Sequence, residues 1–108
     1  MKLITAIVQD KDTNKLSNAF VKANVRATRL STSGGFLRSG NTTFMIAIEK
    51  DRVQEVLDII KSISQTRKQF MVPPMNLDAG IEGAAYPIEV QVGGATVFTQ
   101  DIESFHQF

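Results

Sequence analysis

Between Asn41 and Ile48 strongly and weakly apolar side chains alternate one by one. Thr42, Phe44, Ile46 and Ile48 fall on one side and Asn41, Thr43, Met45 and Ala47 on the other, the period of a strand with one apolar face. Leu3 to Gln9 predicts an apolar first strand, Val25 to Thr32 a second, and Lys68 to Val72 a short one. Ile88, Val90 and Val92 alternate again, Gly93-Gly94 reads as a hairpin turn, and Ala95 to Gln100 predicts the last strand, ahead of an aromatic tail from Ile102 to Phe108. Two segments change the period to that of a helix. Leu16, Ala19, Phe20 and Ala23 predict a helix from Thr13 to Asn24 capped by Asp12. Val53, Val56, Leu57, Ile60 and Ile63 form the buried stripe of a second, starting at the box-like Asp51-Arg52-Val53-Gln54 and ending near Gln65.

The order strand, helix, strand, strand, helix, strand predicts an α+β, ferredoxin-like βαββαβ arrangement with additional C-terminal strands and both helices on one sheet face. With Phe44, Ile46 and Ile48 facing the helices, Asn41, Thr43, Met45 and Ala47 point to the opposite face, as one set of strand two (Asn24, Arg26, Thr28) is expected to do. That face needs cover, which a neighbouring subunit could supply.

At 108 residues, 43% hydrophobic and without repeat or linker, the chain is expected to be a single domain, residues 1–108. The absence of cysteine removes disulfides, thiol nucleophiles and cysteine metal sites, and the cytoplasm is the expected location. Asp10, Lys11 and Asp12 interrupt the apolar N-terminus too early for a signal peptide or membrane span. A net charge of +1 does not suit long nucleic acid, and the lone His106 has no partner for a metal.

Charge is distributed unevenly. Every Lys and Arg lies at or before Lys68, and the window Thr13 to Ile48 holds Lys15, Lys22, Arg26, Arg29 and Arg38 without a single acid. Inside it runs Ser33-Gly34-Gly35-Phe36-Leu37-Arg38-Ser39-Gly40-Asn41-Thr42-Thr43. Glycines admit close backbone approach, hydroxyls and main-chain N–H groups suit phosphate oxygens, arginine offers a planar fork, and Phe36 and Leu37 offer apolar surface to a flat ring. These features point to a phosphorylated aromatic ligand, most simply a nucleotide. No Ser/His/Asp set or Walker-type Gly-Lys-Ser/Thr is present, so no enzyme is predicted. A sheet that binds single-stranded RNA needs exposed stacking aromatics on its central strands, where this chain has Asn41, Thr43, Met45 and Ala47.

Several ordered blocks carry a specific resemblance: Ile7-Val8-Gln9-Asp10, Arg26-Ala27-Thr28, Gly34-Gly35-Phe36-Leu37-Arg38, Gly40-Asn41-Thr42-Thr43-Phe44, Asp51-Arg52-Val53, Val92-Gly93-Gly94-Ala95-Thr96-Val97-Phe98 and Phe105-His106-Gln107-Phe108. Over its whole length the chain resembles the PII-like cyclic di-AMP receptors. The resemblance implies a non-enzymatic homotrimer with three nucleotide sites at subunit clefts, and cyclic di-AMP as ligand with no further cofactor. It implies a binding set of Asn24, Arg26, Ala27, Thr28, Gly35, Phe36, Leu37, Asn41, Ala47, Phe98 and Gln107. Asn24, Arg26 and Thr28 would hold phosphate and ribose, and Phe36, Leu37 and Asn41 would frame an adenine. Phe98 and Gln107 would reach in from the neighbouring part of the cleft, although Phe98 also suits ordinary core and Gln107 a terminal tether. Ala47 stands where the family commonly has glycine, and its methyl group is expected to cost about 1 to 3 kcal/mol of affinity. Ligand-dependent ordering of the Gly34 to Gly40 and Pro73 to Gly83 loops is expected to signal to an unknown partner. Two alternatives stay open: an ordinary PII-type sensor of ATP, which would want a longer loop than Ser33 to Gly40, and a structural trimer with weak or no nucleotide binding.

Overall fold

The computed structural model describes residues 1–31, 40–71 and 88–108. In chain order these form β1 (Lys2–Gln9), α1 (Asp10–Lys22), β2 (Thr28–Ser31), β3 (Asn41–Ile48), a 3-10 turn (Lys50–Arg52), α2 (Val53–Ser64), β4 (Arg67–Met71), β5 (Ile88–Val92) and β6 (Ala95–Asp101). β2, β3, β1 and β6 lie side by side in that order in an antiparallel sheet, and β4 and β5 form a separate antiparallel pair. The result is a mixed α+β architecture with two helices, compatible with a ferredoxin-like fold.

Alternation on β1 and β3 does what it predicts. Ile4, Ala6 and Val8 from β1 and Phe44, Ile46 and Ile48 from β3 are buried together with Leu16 and Phe20 of α1, Val25, and Val56 and Ile60 of α2. Phe20 meets Phe44 edge to face, with centroids 5.5 Å apart, a geometry that adds about 0.5 to 1.5 kcal/mol to the burial of the two rings.

Four expectations are corrected. Asp12 does not cap α1; the helix starts at Asp10, behind Gln9, with no side-chain cap. The Asp10 N–H instead donates to the Gly40 carbonyl at 2.7 Å, and the Thr42 hydroxyl donates to Asp10 Oδ1 at 2.7 Å, so tertiary partners serve the helix start. Asp12 is buried, where the Arg67 guanidinium donates to both its oxygens, at 2.7 and 3.3 Å. Such a fork raises the Arg67 pKa above its ordinary value, first through the hydrogen bond and then through the charge of Asp12. Likewise α2 has no side-chain cap at its box-like start, which is taken up by the 3-10 turn.

Gly93-Gly94 is not a hairpin turn. β5 turns back on β4 and β6 joins β1, so the two glycines carry the chain from one sheet to the other. Both have positive φ, 81° and 106°. The Gly93 N–H donates to Gln9 Oε1 at 2.8 Å and the Gly94 N–H to the Ser64 carbonyl at 2.5 Å. A Cβ on Gly93 would stand 2.6 Å from Arg67 Nη1 and 2.7 Å from the Gln65 carbonyl oxygen, so the approach admits only glycine. The fourth strand of the main sheet is therefore β6, and the extra strands β4 and β5 are inserted before it.

Strand two begins at Thr28, three residues later than expected. α1 closes in a Schellman arrangement: the Asn24 N–H donates to the Val21 carbonyl at 3.1 Å and the Val25 N–H to the Phe20 carbonyl at 2.8 Å, with Asn24 left-handed at φ 57°. Val25 and Phe20, both buried, supply the apolar contact that accompanies this motif. Asn24 and Arg26 thus belong to a corner ahead of β2, not to its face.

Candidate nucleotide site

The sheet face turned away from the helices has no cover within the chain's described residues. Across it the register sets Thr28, Met45, Thr5 and Phe98 in one row and Leu30, Thr43, Ile7 and Thr96 in the next. Leu30 and Phe98 are exposed, at 42% and 55%, and Leu3, Ile7 and Met45 are only half-buried although they lie on central strands. Phe98 is therefore a surface aromatic and not core.

A cavity of about 260 Å³ opens at the end of this face where β1 begins, lined by Met1, Asn24, Val25, Arg26, Ala47, Ile48, Glu49 and Arg52. Three expected binding residues, Asn24, Arg26 and Ala47, meet there. The Schellman corner sets Asn24 and Arg26 at the rim, and the alternation of β3 turns Ala47 outward while Ile46 and Ile48 are buried. Arg26 is exposed and makes no ion pair with a described residue, so its guanidinium is available to an anion. Thr28 follows on β2, on the open face opposite Met45. Ala27 is half-buried against the core and does not line the cavity.

Asn41 is elsewhere. It lines a second cavity, of about 380 Å³, with Ile7, Gln9, Thr66, Gly93 and Thr96 at the opposite end of the sheet. Asn41 and Ala47 are six residues apart on one strand, about 20 Å at the ordinary strand rise. Phe98 is three strands across from Thr28, about 14 Å at the usual strand spacing. Gln107 is exposed in the tail beyond β6; the tail's first residue, Ile102, donates its N–H to the Met1 carbonyl at 3.2 Å, and Lys2 pairs with Asp101. The tail thus departs from the end of the sheet that carries the first cavity. Gly35, Phe36 and Leu37 lie outside the described residues, as does the Pro73 to Gly83 loop.

Arg52 was not among the expected site residues. Its only sequence signal is its place in the Asp51-Arg52-Val53 block. The hydrogen bonds and charge of Glu55 raise its pKa, and in return Arg52 holds the Glu55 carboxyl below its ordinary value. Among the described residues no cluster of three or more His, Cys, Asp or Glu is placed to hold a metal, and no helix is long and apolar enough to cross a membrane.

A crystal structure titled as that of a functionally unknown protein from Pediococcus pentosaceus is similar to this chain at 58% identity, with a TM-score of 0.82, over 99% of this chain and 96% of the other. A family model described as "Cyclic-di-AMP receptor" matches residues 1–108. A receptor family implies a binding and signalling role for its members, not a catalytic one. Matched from its first residue to its last, and with an arginine and an asparagine at the rim of a cavity on an uncovered sheet, the chain belongs to the cyclic-di-AMP receptor family.

Proposed function

We propose that the protein is a cytoplasmic, non-enzymatic, single-domain receptor for cyclic di-AMP, binding it at the clefts between the subunits of a PII-like homotrimer. The observation that carries this reading is the convergence of Asn24, Arg26 and Ala47 on one cavity while Asn41, Phe98 and Gln107 stay outside it. Asn41 and Ala47, about 20 Å apart along a strand, are not readily spanned by one compact ligand inside a single protomer. A neighbouring copy seated on the open face would bring Phe98 and the tail of one subunit toward the Arg26 rim of the next. It would also cover Leu3, Ile7, Leu30 and Met45, apolar groups that a monomer leaves in contact with water.

In this reading Arg26 pairs with a phosphate, the Asn24 amide and the Thr28 hydroxyl serve phosphate and ribose, and Phe36, Leu37 and Asn41 frame a base. Gly35, Ala27 and Ala47 let main chain approach the ligand. Binding orders the Gly34 to Gly40 and Pro73 to Gly83 loops, which changes the surface offered to a downstream partner.

Titration calorimetry with cyclic di-AMP, with cyclic di-GMP and ATP as controls, tests the ligand, and sedimentation equilibrium tests the trimer. Selective cyclic di-AMP binding, lost in Arg26→Ala, is expected. Binding of ATP instead would make the chain an ordinary PII-type sensor, and a trimer that binds none of the three would leave a structural role. Equal hydrogen exchange at residues 67–86 with and without ligand would sink the signalling part.

A further inference from the structure

We infer that Arg52 is a positioning residue for the nucleotide cavity: it clamps the corner that presents Asn24 and Arg26, without itself serving as the phosphate ligand. The inference rests on the cavity being the binding site proposed above. Arg52 stands at the entrance of α2, and its guanidinium reaches across to the end of α1. Nη2 donates to the Ala23 carbonyl at 2.9 Å and Nη1 to the Asn24 carbonyl at 3.3 Å, two consecutive carbonyls left over at a helix end.

Nε and Nη2 also donate to the two oxygens of Glu55, at 3.1 and 3.2 Å. The planar fork is thereby committed on both sides. Of its five N–H groups one, on Nη1, is left over, and its charge is matched by Glu55. A guanidinium so engaged is a poor phosphate ligand but a good brace. Arg26, by contrast, has no such commitment to a described carboxylate.

The corner gains from a brace because it turns on one left-handed residue, Asn24 at φ 57°, held from the α1 side by the Asn24 and Val25 N–H hydrogen bonds and the burial of Val25 beside Phe20. Through Arg52 the corner is tied to α2 as well. The bridged carbonyls are those of Ala23 and Asn24, so the brace holds Asn24 itself and the chain two residues ahead of Arg26; both Asn24 and Arg26 line the cavity. The signal that sequence inspection passes over is a long-range one, between positions 52 and 23 to 24.

Arg52→Lys and Arg52→Gln test this. Lysine keeps the positive charge but loses the planar fork; glutamine loses both, and thermal melting identifies whichever variant remains folded. We expect both to weaken cyclic di-AMP binding in calorimetry by about tenfold, within the range seen for residues that do not touch the ligand. We also expect faster hydrogen exchange at the Asn24 and Val25 amides in the ligand-free protein. Full affinity in Arg52→Lys would overturn the inference, because charge at the cavity would then suffice. If the wild type binds no cyclic di-AMP, the receptor reading fails while the exchange measurement still decides the brace: unchanged Asn24 and Val25 amides in Arg52→Lys would overturn it, and faster exchange would support it.

Discussion

Replacing Asn24 with glycine separates two roles that this residue combines. As the left-handed residue of the α1 terminus it carries a conformational cost, about 1 to 2 kcal/mol for an L-residue and less for asparagine, which tolerates this region. Glycine removes that cost but loses more freedom on folding, about 0.5 to 1 kcal/mol. The two nearly cancel. Asn24→Gly is therefore expected to melt close to the wild type, within the 4 to 8 °C that roughly 1 kcal/mol moves a domain of this size, at matched protomer concentration. Asn24→Ala, which keeps the strain and loses asparagine's tolerance of it, should melt lower than either. Ligand affinity is expected to follow a different order. The amide that lines the cavity is absent from both variants, and a hydrogen bond to a charged group is worth about 1.5 to 3 kcal/mol, or one to two decades in Kd. Calorimetry with cyclic di-AMP and a melting curve on the same samples settle the matter. A glycine variant that binds as tightly as wild type would reduce Asn24 to a corner residue, and one that melts far below it would refute the account of the helix terminus.

Ala47→Gly is expected to tighten cyclic di-AMP binding by about one to two decades in calorimetry, because the methyl group stands on the exposed strand face at the cavity and overpacking costs about 1 to 3 kcal/mol; unchanged affinity would place the base elsewhere. Gly93→Ala should lower the denaturation midpoint by an amount equivalent to at least about 1 to 3 kcal/mol. Its Cβ would meet Arg67 Nη1 at 2.6 Å and the Gln65 carbonyl at 2.7 Å, and Arg67 is anchored by Asp12. Glu55, held by the hydrogen bond and charge of Arg52, and Asp101, held by those of Lys2, should both titrate below the ordinary carboxylate range in carboxyl-carbon NMR. Because their folded pKa values are depressed, the stability they add is present above the unfolded carboxylate range and is lost as pH falls through the folded values. Midpoints at the ordinary values would contradict the two pairings.

Local periodicity made β1, β3 and α2 legible because each has one buried side, and a buried side writes its period directly into the sequence. What the sequence did not reveal depends on partners far along the chain. Asp12 has the chemistry of a cap, but Arg67, 55 residues away, claims both its oxygens. Gly93-Gly94 between two alternating runs has the local form of a hairpin, and nothing local tells that β5 pairs with β4 and β6 with β1. The late start of β2 is by contrast a local effect of the helix terminus, since Val25 spends its N–H on the Phe20 carbonyl five residues back and not on a strand neighbour.

The candidate site was legible in its residue types and not in its grouping. Spacing set Asn24 and Arg26 on one face of a strand; they stand instead on a corner ahead of β2, where they meet Ala47 at one cavity. That Asn41 belongs to the other end of the sheet follows from strand length alone, yet matters only once the ligand's reach is compared with about 20 Å. Asn24 shows why sequence could not decide between structure and function. A left-handed helix terminus wants asparagine or glycine, and the proposed phosphate site would want an amide; asparagine at position 24 suits both demands. Arg52 resolves the ambiguity in the other direction, because four of its five N–H donors are committed to two carbonyls and a carboxylate, leaving Arg26 as the uncommitted cationic side chain at the cavity among the described residues. In the proposed site the corner and the cavity are thus one construction: the terminus of α1 sets where Asn24 and Arg26 stand, and the inferred role of Arg52, at the start of α2, is to keep them there.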